Sequence, residues 1–213
     1  MDSPKPATVF LIDDDDSVRR ALARLILSAG YQVRAFASAR EFLDTGPYDD
    51  GPACLVLDVR MPGLSGLDLQ RELEAAKVSH PIIFITGYGD VPTSVKAMKS
   101  GAVDFIPKPV QDEDLLRSIE QAVTRAARET AERDEIETLQ GRADRLTPRE
   151  REVMALVARG LLNKQIAFEL GTSEKTVKVH RARVMQKMQV QSLAELVRVT
   201  DKIGLPPERV SKS

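Results

Sequence analysis

One cysteine in 213 residues, Cys54, leaves no partner for an intramolecular disulfide. Its setting in Ala53-Cys54-Leu55-Val56-Leu57 reads as a small buried apolar residue, not a redox or metal group. His80 and His180 are the only histidines, which argues against a histidine metal site. No apolar run approaches the roughly 20 residues that span a bilayer. The N-terminus Met1-Asp2-Ser3-Pro4-Lys5 also lacks the apolar core of a signal peptide. The expectation is a soluble, cytoplasmic protein without a membrane partner.

The near-neutral net charge of −1 conceals two unlike halves. Residues 1–141 carry 16 Lys and Arg against 24 Asp and Glu, and residues 142–213 carry 15 against 8. The length also suits two compact units, since single domains usually hold about 100 to 200 residues. An acidic module joined to a basic one is expected, the basic one favouring a polyanionic partner.

In the acidic half five short apolar runs alternate with stretches of helical spacing: Val9 to Ile12, Val33 to Phe36, Cys54 to Leu57, Ile82 to Ile85 and Val103 to Ile106. That is the rhythm of an α/β doubly wound five-stranded parallel sheet. After the first run, Val18, Leu22, Leu25 and Ala29 form a helical stripe, with Gly30 where a left-handed cap residue is expected. Ligands of open α/β sheets bind outside the carboxyl ends of the strands. Asp13 and Asp14 (first run), Asp58 (third), Thr86 (fourth) and Lys108 (fifth) all fall there.

Carboxylates meeting at such an edge repel one another, and a hard divalent cation with oxygen ligands relieves the repulsion while drawing in a phosphoryl group. Asp14 and Asp58 can each give one oxygen to Mg²⁺, Asp13 can hold a coordinated water, and the backbone carbonyl of Arg60 can fill a further position. Asp58 is then the nucleophile that becomes an aspartyl phosphate, with the Lys108 ammonium and the Thr86 hydroxyl on phosphoryl oxygens. Each residue has a plainer reading: Asp13 to Asp16 as helix caps, Lys108 before Pro109 as a surface turn, and Thr86 before Gly87 as a strand end.

The motifs FLIDDD, LVLDVRMPGLSG, FITGYGD and DFIPKP, in that order, resemble the receiver domain of two-component response regulators across residues 7–125. The resemblance implies that Asp58 accepts phosphate from a sensor histidine kinase and that Asp13 and Asp14 join it in holding Mg²⁺. It also implies that Thr86, Phe105 and Lys108 couple phosphorylation to a dimer surface made by the fourth helix, fifth strand and fifth helix. The Lys108-Pro109 peptide is typically cis in such domains.

From Asp112 the stripe Leu116, Ile119, Val123, Ala126 gives way to a polar stretch and then to Ile136 and Leu139 before Gly141. Residues 126–142 read as a helical linker, either solvated or a weak coiled coil between two chains. In Thr147-Pro148-Arg149-Glu150, Thr stands at the N-cap, Pro at the first helical position and Glu at N3, a capping box. Val153, Leu156 and Val157 supply that helix's core face until Gly160. Asn163 is expected to cap a second helix with Ile166, Ala167 and Leu170 inward, and Ser173 a third. The short glycine-containing link makes this a helix-turn-helix with the third helix as reader. Its predicted buried side is Val177, Val184 and Met188, and its other face Lys175, Lys178, Val179, Ala182 and Arg183. Val179 suits a thymine methyl, Lys178 a guanine edge or phosphate, and Thr176 and Lys164 phosphates.

The stretch LTPREREVMALVARGLLNKQIAFELGTSEKTVKVHRARVMQKM resembles the LuxR-type helix-turn-helix domain over residues 143–205, with a flexible tail at 206–213. Joined to the receiver, it makes the chain similar to response regulators of the FixJ/NarL class. The resemblance implies phosphorylation-driven homodimers, double-stranded promoter DNA and RNA polymerase as partners, and transcription control as the output. Ala182 stands where nitrate-type regulators often carry a second lysine, so the resemblance transfers no base preference. His180 fits the family pattern as a packing or phosphate-contact residue. No enzymatic turnover is expected: phosphohydrolases of the haloacid dehalogenase type carry a second aspartate where Arg60 stands. A further reading keeps the fold without the switch, because the basic domain also resembles the promoter-reading region of sigma factors.

Overall fold

The computed structural model describes residues 7–46, 51–76, 78, 80–87 and 101–204. The chain divides into two units, Met1–Ala131 and Glu132–Ser213. The first holds β1 (Thr8–Ile12), α1 (Asp16–Ser28), β2 (Gln32–Phe36), α2 (Ala39–Asp44), β3 (Ala53–Asp58), α3 (Gly66–Ala75), β4 (Ile82–Thr86) and β5 (Asp104–Pro107), and α4 (Asp112–Asp144) starts in it. The helix that the resemblance implies between β4 and β5 lies outside the described residues, as does the tail.

The strands pair in parallel in the order β2-β1-β3-β4-β5. β1, β3 and β4 are wholly buried, which is why they read as unbroken apolar runs rather than alternating ones. Their side chains still alternate between faces. Phe10, Ile12, Leu55, Leu57 and Phe84 meet Phe42 of α2 and Leu69 and Leu73 of α3. Val9, Leu11, Cys54, Val56, Ile83 and Ile85 meet Leu22 and Ile26 of α1 and Leu115 and Ile119 of α4. The sheet is therefore covered on both sides, and the order reverses between β1 and β3, the switch point at which such folds bind ligands.

Most local expectations hold, with small shifts. In α1 the buried residues are Leu22 and Ile26, whereas Ala29 is the exposed C-cap that precedes Gly30 (φ +89°). Burial pushes the Cys54 thiol up to about 12, in keeping with an inert core residue. Residues 131–135 of α4 are exposed on every face of the helix. Among the described residues no helix is long and apolar enough to cross a membrane.

The second unit holds α5 (Pro148–Ala158), α6 (Asn163–Glu169), α7 (Glu174–Met188) and α8 (Leu193–Lys202). The Thr147 capping box forms: Thr147 N–H donates to Glu150 Oε2 (2.9 Å) and Glu150 N–H to Thr147 Oγ1 (3.3 Å). One expectation is corrected. The N-cap of α6 is Leu162, not Asn163, because the Gln165 side chain accepts from the Leu162 N–H (2.8 Å) and does the capping from inside the helix. Asn163 instead accepts from Arg181 Nη1 of α7 (3.2 Å). Ser173 caps α7 as expected, accepting from Thr176 N–H (3.1 Å). Val153, Leu156, Val157, Ile166, Val177, Val184, Met188 and Leu196 form one apolar core, with Leu170 partly buried against it.

Candidate phosphoacceptor site and nucleic-acid interface

The four acidic residues after β1 divide between two jobs. Asp15 is the N-cap of α1, its Oδ1 accepting from Ser17 N–H (2.8 Å) and Val18 N–H (3.1 Å), bonds that lower its pKa. Asp16, in the first turn, pairs with Arg19 and Arg20. Asp13 and Asp14 are left for the sheet edge, where each of them and Asp58 offers a carboxylate oxygen within 4.8 Å of the others. Asp13 and Asp58 are buried and Asp14 is exposed, so the cluster opens outward through Asp14.

Strand ends put the remaining groups beside it. Asp58 closes β3, Thr86 closes β4 and Lys108 follows β5, while the Lys108 N–H donates to the Thr86 carbonyl (2.7 Å). The Lys108 Nζ bridges the two buried carboxylates, 2.9 Å from Asp13 Oδ2 and 2.5 Å from Asp58 Oδ2. The Arg60 backbone N–H donates to Asp58 Oδ1 (2.9 Å), so one Asp58 oxygen is held by the main chain and the other by a side chain that can move. Burial raises the Asp13 pKa, with bonds from Lys108 and the Asp15 N–H pulling the other way. For Lys108, burial pulls the ammonium down, but its bonds to Asp58 and Asp13 outweigh that and leave its pKa raised.

An all-oxygen set of three carboxylates suits a hard divalent cation of the Mg²⁺ kind better than a soft metal. Thr86 is buried at the same edge. Phe105 is half-buried, its ring centroid 6.3 Å from that of Phe84, and the Lys108-Pro109 peptide is cis. The structure thus brings Asp13, Asp14, Asp58, Thr86 and Lys108 to one edge, with Phe105 two strands from Asp58.

In the second unit α7 separates into two faces. At about 100° per residue, Lys175, Lys178, Val179, Ala182 and Arg183 fall within an arc of about 140°, opposite Val177, Val184 and Met188. The first five are exposed and the last three buried. Lys164 on α6 is exposed, while the Thr176 hydroxyl lies 2.9 Å from Ser173 Oγ within the cap.

Two anchors of this face escaped the sequence reading. Lys187 Nζ on α7 pairs with the buried Glu150 Oε2 (2.6 Å) and donates to the Arg145 carbonyl (3.0 Å). Arg181 ties α7 to α6 through Asn163. Neither has a spacing signal, because their partners are 37 and 18 residues away.

Comparison with known proteins bears on both units. Residues 9–120 match the response regulator receiver domain and residues 144–200 the bacterial regulatory proteins of the luxR family. Nodulation protein W of Bradyrhizobium diazoefficiens is 49% identical over 199 residues, 93% of this chain and 87% of that protein. The transcriptional regulatory protein FixJ of Azorhizobium caulinodans is 45% identical over 205 residues, 96% of each. The solved structure of the response regulator StyR superposes with a TM-score of 0.84 at 48% identity, covering 92% of this chain and 99% of that one. Relatives of this kind cover both matched segments in the same order, and the chain belongs to the response regulators, with a receiver domain followed by a LuxR-type DNA-binding domain.

Proposed function

We propose that Asp58 accepts a phosphoryl group from a sensor histidine kinase and that this modification drives dimerisation and promoter binding. The observation that carries the reading is Lys108 bridging Asp13 and Asp58 at the switch point of the sheet. Bound by Asp13, Asp14, Asp58 and the Arg60 backbone carbonyl, Mg²⁺ would neutralise charge on the phosphoryl oxygens. Asp58 Oδ1 stays on the Arg60 N–H, and Oδ2, released as Lys108 shifts, attacks phosphorus in line. The P–N bond to the kinase imidazole breaks and its electron pair stays on that nitrogen. Lys108 then pairs with a phosphoryl oxygen and the Thr86 hydroxyl donates to another.

The output is assigned to Lys175, Lys178, Val179 and Arg183, with Lys164 and Thr176 on the backbone of double-stranded promoter DNA. Two half-sites about one helical turn apart follow from a two-fold dimer. RNA polymerase is the onward partner, the cytoplasm the compartment, and the protein turns over no substrate beyond its own acyl phosphate.

The test uses the full chain with acetyl phosphate and Mg²⁺. One phosphoryl group is gained, Asp58→Asn gains none, and affinity for DNA enriched from a random-sequence pool rises on phosphorylation together with the dimer fraction. An unmodified Asp58 in well-folded protein overturns the switch, and equal affinity in both states leaves a constitutive DNA binder.

A further inference from the structure

We propose that Asp104 is a positioning residue that couples Phe105 to helix α4 through Ser118. The inference rests on the phosphoacceptor reading, because it concerns how the state of that site reaches the opposite face of the sheet.

Successive side chains of a strand point to opposite faces. Phe105 packs with Phe84 against the cluster under α2 and α3, on the face of the sheet that Thr86 shares by strand alternation, where a movement of Thr86 would open or fill space. Ile106 belongs to the other cluster, with Leu115 and Ile119 of α4. Asp104 shares the face of Ile106, and its two oxygens are divided between strand and helix. Oδ1 accepts from the Phe105 backbone N–H at 2.7 Å. Oδ2 accepts a hydrogen bond from the Ser118 hydroxyl.

Both residues are otherwise misplaced. Aspartate is disfavoured in strands, and a half-buried carboxylate costs desolvation unless it is bonded. Ser118 is 4% exposed and sits beside the fully buried Leu115, Ile119 and Ala122, where an apolar residue would pack at less cost. Each supplies what the other needs.

The consequence is mechanical. The two oxygens of one carboxylate are fixed relative to each other, so a rotation of the 104–105 peptide that accompanies movement of Phe105 carries Oδ2 with it. The bond to Ser118 is charge-assisted and stronger than a neutral one. Its donor lies within the helix that runs on to Asp144. Asp104 thus reports the setting of Phe105 to α4, and without the Ser118 hydroxyl the two can move independently.

The test compares full-length wild type, Ser118→Ala and Ser118→Thr, with Asp58 phosphorylation read directly on phosphate-affinity gels. Amide hydrogen exchange across 112–123 and the ratio of DNA affinities with and without acetyl phosphate and Mg²⁺ are the readouts. Wild type changes its exchange on phosphorylation. Ser118→Ala is phosphorylated normally, loses that change, and shows an affinity ratio reduced by about fivefold or more. Ser118→Thr, which keeps the hydroxyl, restores both. A merely structural serine would lower stability and leave the ratio unchanged.

A folded Ser118→Ala with wild-type ratio and exchange overturns the coupling. So does a phosphorylated wild type whose 112–123 exchange is unmoved, whatever its DNA affinity. An exchange change that Ser118→Ala abolishes, in a protein whose DNA affinity ignores phosphorylation, supports the coupling and overturns the gating of DNA instead. Failure of Asp58 to accept phosphate overturns both.

Discussion

Gly66 opens α3 against the main chain of Asp58, the proposed phosphoacceptor, and its substitution by alanine tests the geometry of the site more sharply than removal of any ligand. A Cβ built there would stand 2.4 Å from the Asp58 carbonyl oxygen and 3.0 Å from Leu57 Cγ. Its backbone is not left-handed, so alanine meets no conformational strain, only a lack of space. The nearest obstacle is main chain, anchored by the pairing of Asp58 with Ile85 and by the Gly66 N–H bond to the Val59 carbonyl (3.1 Å). Relief to an ordinary contact needs a shift of about 1 Å in α3 or in Asp58 itself. Overpacking of this kind costs about 1–3 kcal/mol, and the helical preference of alanine over glycine returns about 0.5–1. The net loss is about 0.5–2 kcal/mol, or about 2–8 °C in the melting temperature of the receiver unit. Because the displaced atom belongs to the residue proposed as nucleophile, phosphorylation by acetyl phosphate is expected to slow about tenfold as well. Gly63→Ala is the control: at φ +78° with nothing within 4 Å, it pays about 1–2 kcal/mol of backbone strain but does not press on Asp58. Thermal melts and single-turnover phosphorylation of the two variants decide the matter. A Gly66→Ala protein with wild-type melting and rate would refute the reasoning.

Other outcomes follow from the same geometry. Lys187→Met leaves the buried Glu150 carboxylate with the Thr147 N–H but without its cation, and destabilises the DNA-binding unit by about 1.5–3 kcal/mol in urea melts. The bond from Lys187, then that from the Thr147 N–H, hold the Glu150 pKa below its usual 4.5. A carboxyl lowered by folding contributes stability that is complete above its unfolded value and is lost as pH falls through its folded one. Glu150→Gln keeps the capping box and flattens that acid limb, which melts between neutral pH and pH 3 measure. Lys108→Met removes the cation between Asp13 and Asp58, and phosphorylation of Asp58 falls by about 10²-fold or more in gel assays. Lys178→Ala costs about 1–3 kcal/mol of specific binding if the lysine reads a base, or lowers the salt slope by about one if it meets phosphate; titrations at several salt concentrations tell these apart.

Much of this molecule is written in short-range pattern. The parallel sheet is legible because strands covered on both faces must be apolar throughout, and the helix-turn-helix because caps at Thr147 and Ser173 and the glycines at 160 and 171 punctuate it locally. The phosphoacceptor edge is legible for a related reason: every strand runs the same way, so a polar residue after each apolar run must land on the same rim. The cap of α6 misled, since Asn163 suits an N-cap but Gln165 reaches back to do that work.

What the sequence by itself determined is therefore the set of groups at each site and the side of the fold on which they stand. Only the tertiary structure decided how they are held: Lys108 shared between Asp13 and Asp58, Glu150 serving both a cap and Lys187, Asp104 reaching Ser118, and Gly66 pressed against Asp58. Periodicity and capping act over a few residues and leave a mark in the chain. A hydrogen bond or a steric contact between segments tens of residues apart depends on positions fixed only when the core has packed, and so leaves none.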